Sequence, residues 1–330
     1  MRVAAIDCGT NSIRLLIADH DEGTGALDTV VRRMEVVRLG QGVDTTGVLD
    51  DEALRRTLAM CREYAELCRQ HQVPAGNVRF VATSASRDAS NAEVFVEGVR
   101  EAFGELDVTP EVVSGEEEAA LSFAGATAGL AEAGFEGPYL VADIGGGSTE
   151  LARGTREVVA GTSLNIGSVR LTERHHRTDP PTPEIIDAAR YDIAEALDQA
   201  EAEVGIGGIK TVVGVAGSVT TVTAQALNLT SYDPTAIHLA RVTIDQMTEA
   251  CERLILSTRA ERAAQPFMHP GRVDVIGAGA LIWFDILERA RGANGPDVVV
   301  TASERDILDG IAQSVAAPGP VEDDGEDVAS

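Results

Sequence analysis

An α/β fold made of two similar domains facing each other across a cleft is what this 330-residue sequence predicts. Short β-prone runs alternate with amphipathic helical patterns along the chain, which is the alternation of α/β layers and not of an all-α or all-β protein. The hexapeptide Asp7-Cys8-Gly9-Thr10-Asn11-Ser12 returns as Asp143-Ile144-Gly145-Gly146-Gly147-Ser148, so D-x-G-x-x-S occurs twice, 136 positions apart. Each copy follows an apolar strand and precedes a second one, at a spacing of about one domain. That context favours duplication over a chance likeness of two glycine turns.

In order, Arg2 to Ile6 and Ile13 to Ala18 flank the polar turn C-G-T-N-S and read as a hairpin. From Asp51 to Gln70 the apolar residues Leu54, Leu58, Met60, Tyr64 and Leu67 fall near helical spacing, and Pro74 closes the connection. Strand signals recur at Val78 to Ala82, Pro110 to Val113, Tyr139 to Ala142, Val158 to Gly161 and Thr211 to Val215. Helical patterns lie at Ala92 to Phe103, Glu117 to Ala131, Glu184 to Glu203, Val219 to Leu227, Ile244 to Leu256, Ala280 to Ala290 and Arg305 to Val315. The glycine- and alanine-rich stretch Gly125 to Gly137 marks the domain boundary, giving a first domain at 1–127 and a second at 128–315. Residues 316–330 carry five acids without periodicity and are expected to form a disordered acidic tail.

Composition is that of a soluble globular protein, 44% hydrophobic and 24% charged. Asp7 interrupts the first apolar run, far short of a signal peptide, and no run approaches the roughly 18 apolar residues of a membrane span. A cytoplasmic location with no membrane partner is therefore expected. Cys8, Cys61, Cys68 and Cys251 show neither C-x-x-C spacing nor the density of a secreted scaffold, and read as ordinary thiols of a reducing compartment. The net charge of −26 argues against a polyanionic ligand, and no nucleic-acid partner is expected. Local charge can still decide, because exposed charges beyond a Debye length of roughly 8 Å are largely screened.

Three glycines after a strand, Gly145, Gly146 and Gly147, either let the backbone N–H groups converge on an anion or make a tight hairpin that needs positive φ. Asp143 before this turn and Glu150 after it favour the first reading, because hard carboxylate oxygens beside a phosphate loop suit Mg²⁺, and Ser148 adds a hydroxyl. The matching first turn, with Asn11 and Ser12, has no lysine and is not a P-loop. A third turn, Gly214 to Thr221, passes from a strand into a helix and places Gly217 and Ser218 at a helix N-terminus, where Ser218 is also an ordinary N-cap candidate. A fourth, Val275 to Ala280, has the same form and alone reads as a packing contact. Ser114 followed by Glu117 forms a capping box, but capping accounts for one glutamate among Glu116, Glu117 and Glu118, and one of the three is open to a role as general base. Arg87 has the planar donor fork that suits phosphate, against the alternative of a solvated surface arginine. The run His175-His176-Arg177 lacks metal-ligand spacing and reads as surface.

In this order and spacing, A-A-I-D-C-G-T-N-S-I-R-L-L-I-A, A-T-S-A-S-R, V-V-S-G-E-E-E-A, V-A-D-I-G-G-G-S-T-E-L, G-V-A-G-S-V-T-T and V-I-G-A-G-A-L-I make the chain resemble the exopolyphosphatase and guanosine pentaphosphate phosphohydrolase family, over about residues 2 to 312. That resemblance implies duplicated actin-like (ribonuclease-H-like) domains with the active site in the cleft between them. It implies that Glu118 is the catalytic base and that Asp143 and Glu150 are the metal-associated acids for Mg²⁺, with Mn²⁺ as a substitute. It further implies phosphate contacts from Asn11, Ser12, Arg87, Gly145, Gly146, Gly147, Ser148, Gly217 and Ser218. The implied reaction is release of orthophosphate from the ends of inorganic polyphosphate. The alternatives are guanosine pentaphosphate hydrolysis, which would tie the chain to the stringent response, and a non-catalytic phosphate- or nucleotide-binding regulator. Cys8 in the first turn and Arg14 depart from the family's pattern, and neither removes a catalytic group. The chain is similar to the short, two-domain members, and a homodimer is compatible with that form.

Overall fold

A computed structural model describes residues 1–316 except Glu22, His176 and Arg177. It contains two five-stranded mixed sheets with the same internal order. In the first, β1 (Arg2–Cys8), β2 (Ser12–His20), β3 (Leu27–Val36), β4 (Val78–Ala82) and β5 (Glu111–Val112) lie in the order β3-β2-β1-β4-β5. In the second, β6 (Tyr139–Ile144), β7 (Thr149–Gly154), β8 (Val158–Leu164), β9 (Thr211–Val215) and β10 (Val299–Ala302) lie in the order β10-β9-β6-β7-β8. Both begin with an antiparallel hairpin and add parallel strands, β1 with β4 and β6 with β9. The repeated D-x-G-x-x-S thus marks a repeated sheet.

The register makes the likeness chemical. In the first hairpin Asp7 faces Arg14, and in the second Asp143 faces Glu150. One cross-strand position holds a cation in one domain and an anion in the other. Each glycine turn is closed identically, Gly9 N–H to the Ser12 carbonyl and Gly145 N–H to the Ser148 carbonyl, both at 3.0 Å.

Two strands lie where the sequence carries little signal. β3 has polar residues on both faces because it is an edge strand, mostly exposed, so it lacks the alternation a half-buried strand shows. β10 spans four residues and has no length for a pattern. The expected capping box is half formed: Ser114 accepts from the Glu117 N–H at 3.2 Å, but the Glu117 carboxylate goes to Arg79 at 2.7 Å. Of the run read as surface, His175 is half-buried against Asp192 at 2.8 Å, while His176 and Arg177 lie outside the described residues, as do tail residues 317–330.

Each sheet has its own apolar core, one around Phe80, Phe95 and Phe103, the other around Trp283. Two helices tie the halves together. Helix Gly115–Thr127 turns Ala119, Phe123 and Ala126 toward the second sheet. Its Leu121 instead joins Ile307, Leu308 and Ile311 of helix Ile307–Ala316 against the first sheet. The packing therefore crosses residue 127, with the last helix of the described residues lying on the first sheet. The two helices touch at glycines: a Cβ on Gly125 would lie 1.9 Å from the Asp306 carbonyl oxygen, and one on Gly310 would lie 2.0 Å from that of Leu121. No helix among the described residues is long and apolar enough to cross a membrane.

Candidate active site

The two glycine turns, the β9 loop and the N-terminus of helix Gly115–Thr127 surround one cleft of about 860 Å³ between the sheets. Asn11, Ser12, Glu118, Asp143, Gly145, Gly146, Ser148, Glu150, Gly217 and Ser218 all line it. The turns meet at the cleft edge, where Cβ atoms added to Gly146 and Gly147 would lie 3.1 and 2.5 Å from Thr10 atoms. Gly147 is thus a glycine because the opposing turn, with Thr10 and Ser84 linked at 2.9 Å, leaves no room for a side chain.

The second turn is arranged as an anion cradle. The Gly145 carbonyl accepts from Ser168 N–H, the Gly146 carbonyl from Val169 and Arg170 N–H, and the Gly147 carbonyl from Arg170 Nε. Because C=O and N–H of a trans peptide point in opposite directions, tying these carbonyls back aims the N–H groups of Gly146, Gly147 and Ser148 the other way. None of the three has an acceptor among the described residues. In the third loop Ala216 adopts φ +67°, uncommon for a residue with a Cβ, and starts helix Ala216–Ala226 with free donors toward the cleft. The fourth turn is a packing contact at Gly279, where a Cβ would lie 2.3 Å from Ser218 Oγ, although Val275 and Ile276 do line the cleft.

The carboxylates decide the electrostatics. Of the three glutamates in helix Gly115–Thr127, Glu116 and Glu117 are exposed and Glu118 is 6% exposed. Burial pushes the Glu118 carboxyl up to about 7, with Asp143 and Asp7 adding to the effect and Arg87 opposing it at 3.1 Å. Asp143 rises to about 6, chiefly by burial and then by nearby Asp306, although Ser122 donates to it at 2.5 Å. Glu150 is pushed well above the usual range by burial and then by Glu118 and Asp143, while Ser163 donates to it at 2.6 Å. Three buried acids thus raise one another's affinity for a positive charge.

Arg87 sits differently from a free phosphate clamp. Its guanidinium donates to the Val113 carbonyl at 3.0 Å and to Glu118, so in this arrangement it orients the glutamate. Two cleft arginines stand beside the expected phosphate-binding residues. Arg14 pairs with Asp7 and with Asp306, which precedes the last helix. Arg272 lines the cleft with no acid partner among the described residues, bonds Thr221 Oγ1 at 3.1 Å and presses against Gly217, where a Cβ would lie 2.5 Å from Arg272 Nε. Its only sequence signal is its place just ahead of the fourth glycine turn.

Asp143 and Glu150 are cross-strand neighbours with hard oxygen donors and excess negative charge, which fits Mg²⁺. Among the described residues no group of three or more His, Cys, Asp or Glu is arranged to hold a metal by itself. Two carboxylates completed by substrate oxygens are a usual magnesium arrangement, so the donor set fits an ion that arrives with phosphate.

A sequence model described as the Ppx/GppA phosphatase family matches residues 16–294. Exopolyphosphatase 2 of Mycobacterium tuberculosis is 49% identical over 96% of this chain and 98% of its own. A solved exopolyphosphatase-like protein has 43% identity and a TM-score of 0.88 over 96% of this chain and 99% of that one. The Aquifex aeolicus PPX-GPPA enzyme has 31% identity and a TM-score of 0.77 over 95% and 99% of the two chains. The sheet order and these neighbours make the fold a duplicated actin-like α/β fold.

Proposed function

The chain belongs to the Ppx/GppA phosphatase family, and from that premise we propose that it is an exopolyphosphatase releasing orthophosphate from the ends of inorganic polyphosphate. The observation that carries this reading is a buried glutamate in an anion cleft: Glu118, held by Arg87, lines the same cleft as the Gly145–Ser148 turn with its unpartnered N–H groups. A cleft built only to retain phosphate would exclude such a charge.

In the proposed reaction the N–H groups of Gly146, Gly147 and Ser148 hold the terminal phosphate. Asn11, Ser12, Gly217, Ser218 and Arg272 hold the following units. Glu118 orients a water molecule and accepts its proton as the water oxygen attacks the terminal phosphorus. The bond to the bridging oxygen breaks and its electron pair stays with the shortened chain. Mg²⁺ or Mn²⁺ at Asp143 and Glu150, when bound, would neutralise charge on the phosphate oxygens. Asp143→Asn is accordingly expected to raise the Mg²⁺ concentration needed for half-maximal rate, measured by varying free Mg²⁺ at a fixed concentration of polyphosphate. An unchanged requirement would remove Asp143 from the metal site.

The protonation state of Glu118 sets a pH dependence. A base must be ionised to act, and its pKa in the free protein is about 7. kcat/KM is therefore expected to rise with pH through about 7 and level off above it. A flat profile between pH 5.5 and 8.5 would sink the assignment.

A second reading, hydrolysis of guanosine pentaphosphate, is favoured by an open side pocket that shares Arg14, Met34, Ala216, Gly217 and Arg272 with the cleft. Tyr232, Phe267 and Met268 give it apolar walls, and the Arg272 guanidinium lies 5.8 Å from the Tyr232 ring centroid. Such a cavity suits a nucleoside attached to a phosphate chain. Orthophosphate release measured side by side on polyphosphate and guanosine pentaphosphate decides between them, and release from neither would leave a non-catalytic regulator.

A further inference from the structure

We infer that Arg170 is a positioning residue that makes the geometry of the phosphate loop depend on contact between the two domains. The inference builds on the proposed hydrolysis but rests on its own contacts. Arg170 belongs to helix Ser168–His175, which follows β8 in the second domain, and its side chain is 11% exposed. Its three guanidinium nitrogens have three partners. Nε donates to the Gly147 carbonyl at 2.6 Å, Nη1 to Asp44 and Nη2 to Asp88. Gly147 belongs to the loop of its own domain, whereas Asp44 and Asp88 sit on helices Val43–Thr46 and Ser84–Asp88 of the first domain.

The duplication shows what is unusual here. In the first turn the Thr10 carbonyl accepts from Gly40 N–H, and the Asn11 carbonyl accepts from the N–H groups of Val37 and Arg38, all within the first domain. In the second turn the Gly146 carbonyl is likewise held by backbone N–H groups, but Gly147, which corresponds to Asn11, is held by a side chain. The carbonyl of Gly147 and the N–H of Ser148 belong to one peptide plane, so whatever fixes the carbonyl fixes the aim of the donor. A backbone donor would fix it permanently. An arginine does so only while its two terminal nitrogens are held, because its long side chain has several rotamers to lose.

The neighbouring contacts make the grip a domain contact. Arg174 joins Asp44 at 2.7 and 2.8 Å, and Glu173 accepts from Gly42 N–H at 3.2 Å. When the domains part, Asp44 and Asp88 leave Arg170 together, and the Ser148 N–H loses its fixed direction. The loop thus gains its third aligned donor only in the closed arrangement, which couples closure to catalysis without Arg170 touching substrate.

The test compares wild type with Arg170→Lys and Asp88→Asn in the full chain. Lysine keeps one positive charge near Asp44 and Asp88, but its three donors share one nitrogen at the end of the stem and cannot reproduce a fork that holds the Gly147 carbonyl from Nε and the two carboxylates from Nη1 and Nη2. Misaligning one donor should lower kcat on polyphosphate by roughly 10- to 100-fold, short of the roughly 10²- to 10³-fold loss from removing such a donor. The melting temperature should stay near wild type, and the backbone amide resonance of Ser148 should shift in the absence of substrate. Asp88→Asn should give a smaller fall and the same resonance shift, and should add little in the Arg170→Lys background. A wild-type kcat with an unmoved Ser148 resonance, or losses that multiply independently, would overturn the inference. If Arg170→Lys fails to fold, Asp88→Asn carries the test. If wild type releases no orthophosphate from polyphosphate, the proposed function fails, while the Ser148 resonance still decides the role of Arg170.

Discussion

Glu118→Gln is expected to lower kcat by at least two orders of magnitude and leave polyphosphate binding near wild type. The amide keeps the shape of the side chain and loses its basicity, and a positioned base contributes about 10²- to 10⁴-fold in rate. Equal changes at Glu116 and Glu117 should cost far less, since both are exposed and Glu117 is engaged with Arg79. Wild-type turnover in the Glu118 variant would take that residue out of the reaction. Stability supplies an independent check with a defined sign. The Glu118 pKa is raised, from 4.5 to about 7, so its contribution to stability is fully present below pH 4.5 and is lost as pH rises through 7. Glutamine has no such loss. Between pH 4.5 and 8 the stability difference should therefore move in favour of Glu118→Gln. Denaturant titrations at the two pH values measure it, and a constant difference would show that Glu118 is not held in its buried state.

Gly125→Ala and Gly310→Ala are each expected to destabilise the protein by about 1 to 3 kcal/mol or more, the usual range for overpacking. At both positions the new methyl would meet a backbone oxygen, at 1.9 Å from Asp306 and 2.0 Å from Leu121, so no side-chain rotation relieves it. The helices must move apart, and with them Glu118 on one and Asp306 at the head of the other, so kcat should fall as well. Gly292 provides the control: it lies in helix Ile276–Asn294 and an added Cβ meets nothing within 4 Å, so alanine there should stabilise by about 0.5 to 1 kcal/mol. Melting temperatures of the three variants separate the cases. A Gly125→Ala protein as stable as wild type would mean that the helix crossing yields easily.

The sequence by itself determined the strands that carry a pattern, the glycine turns between them and the duplication, because a turn or a buried strand is specified by residues adjacent in the chain. Asn11, Ser12, Gly145, Gly146, Ser148, Gly217, Ser218, Glu118, Asp143 and Glu150 were all legible as candidates, since each stands in a local motif, and all of them line one cleft. The spacing alone left three glutamates open. The family resemblance singled out Glu118, and the tertiary structure supplied the physical reason, by burying Glu118 against Arg87 and leaving its two neighbours in solvent. It also decided what the arginines do. Arg87, Arg14, Arg170 and Arg272 look alike in sequence, yet their roles follow from partners such as Asp306 and Asp44, which lie 292 and 126 residues away from Arg14 and Arg170. A guanidinium on a flexible stem has no function fixed by its own position, and its charge is directed by whichever carboxylates and carbonyls the packed domains bring within reach.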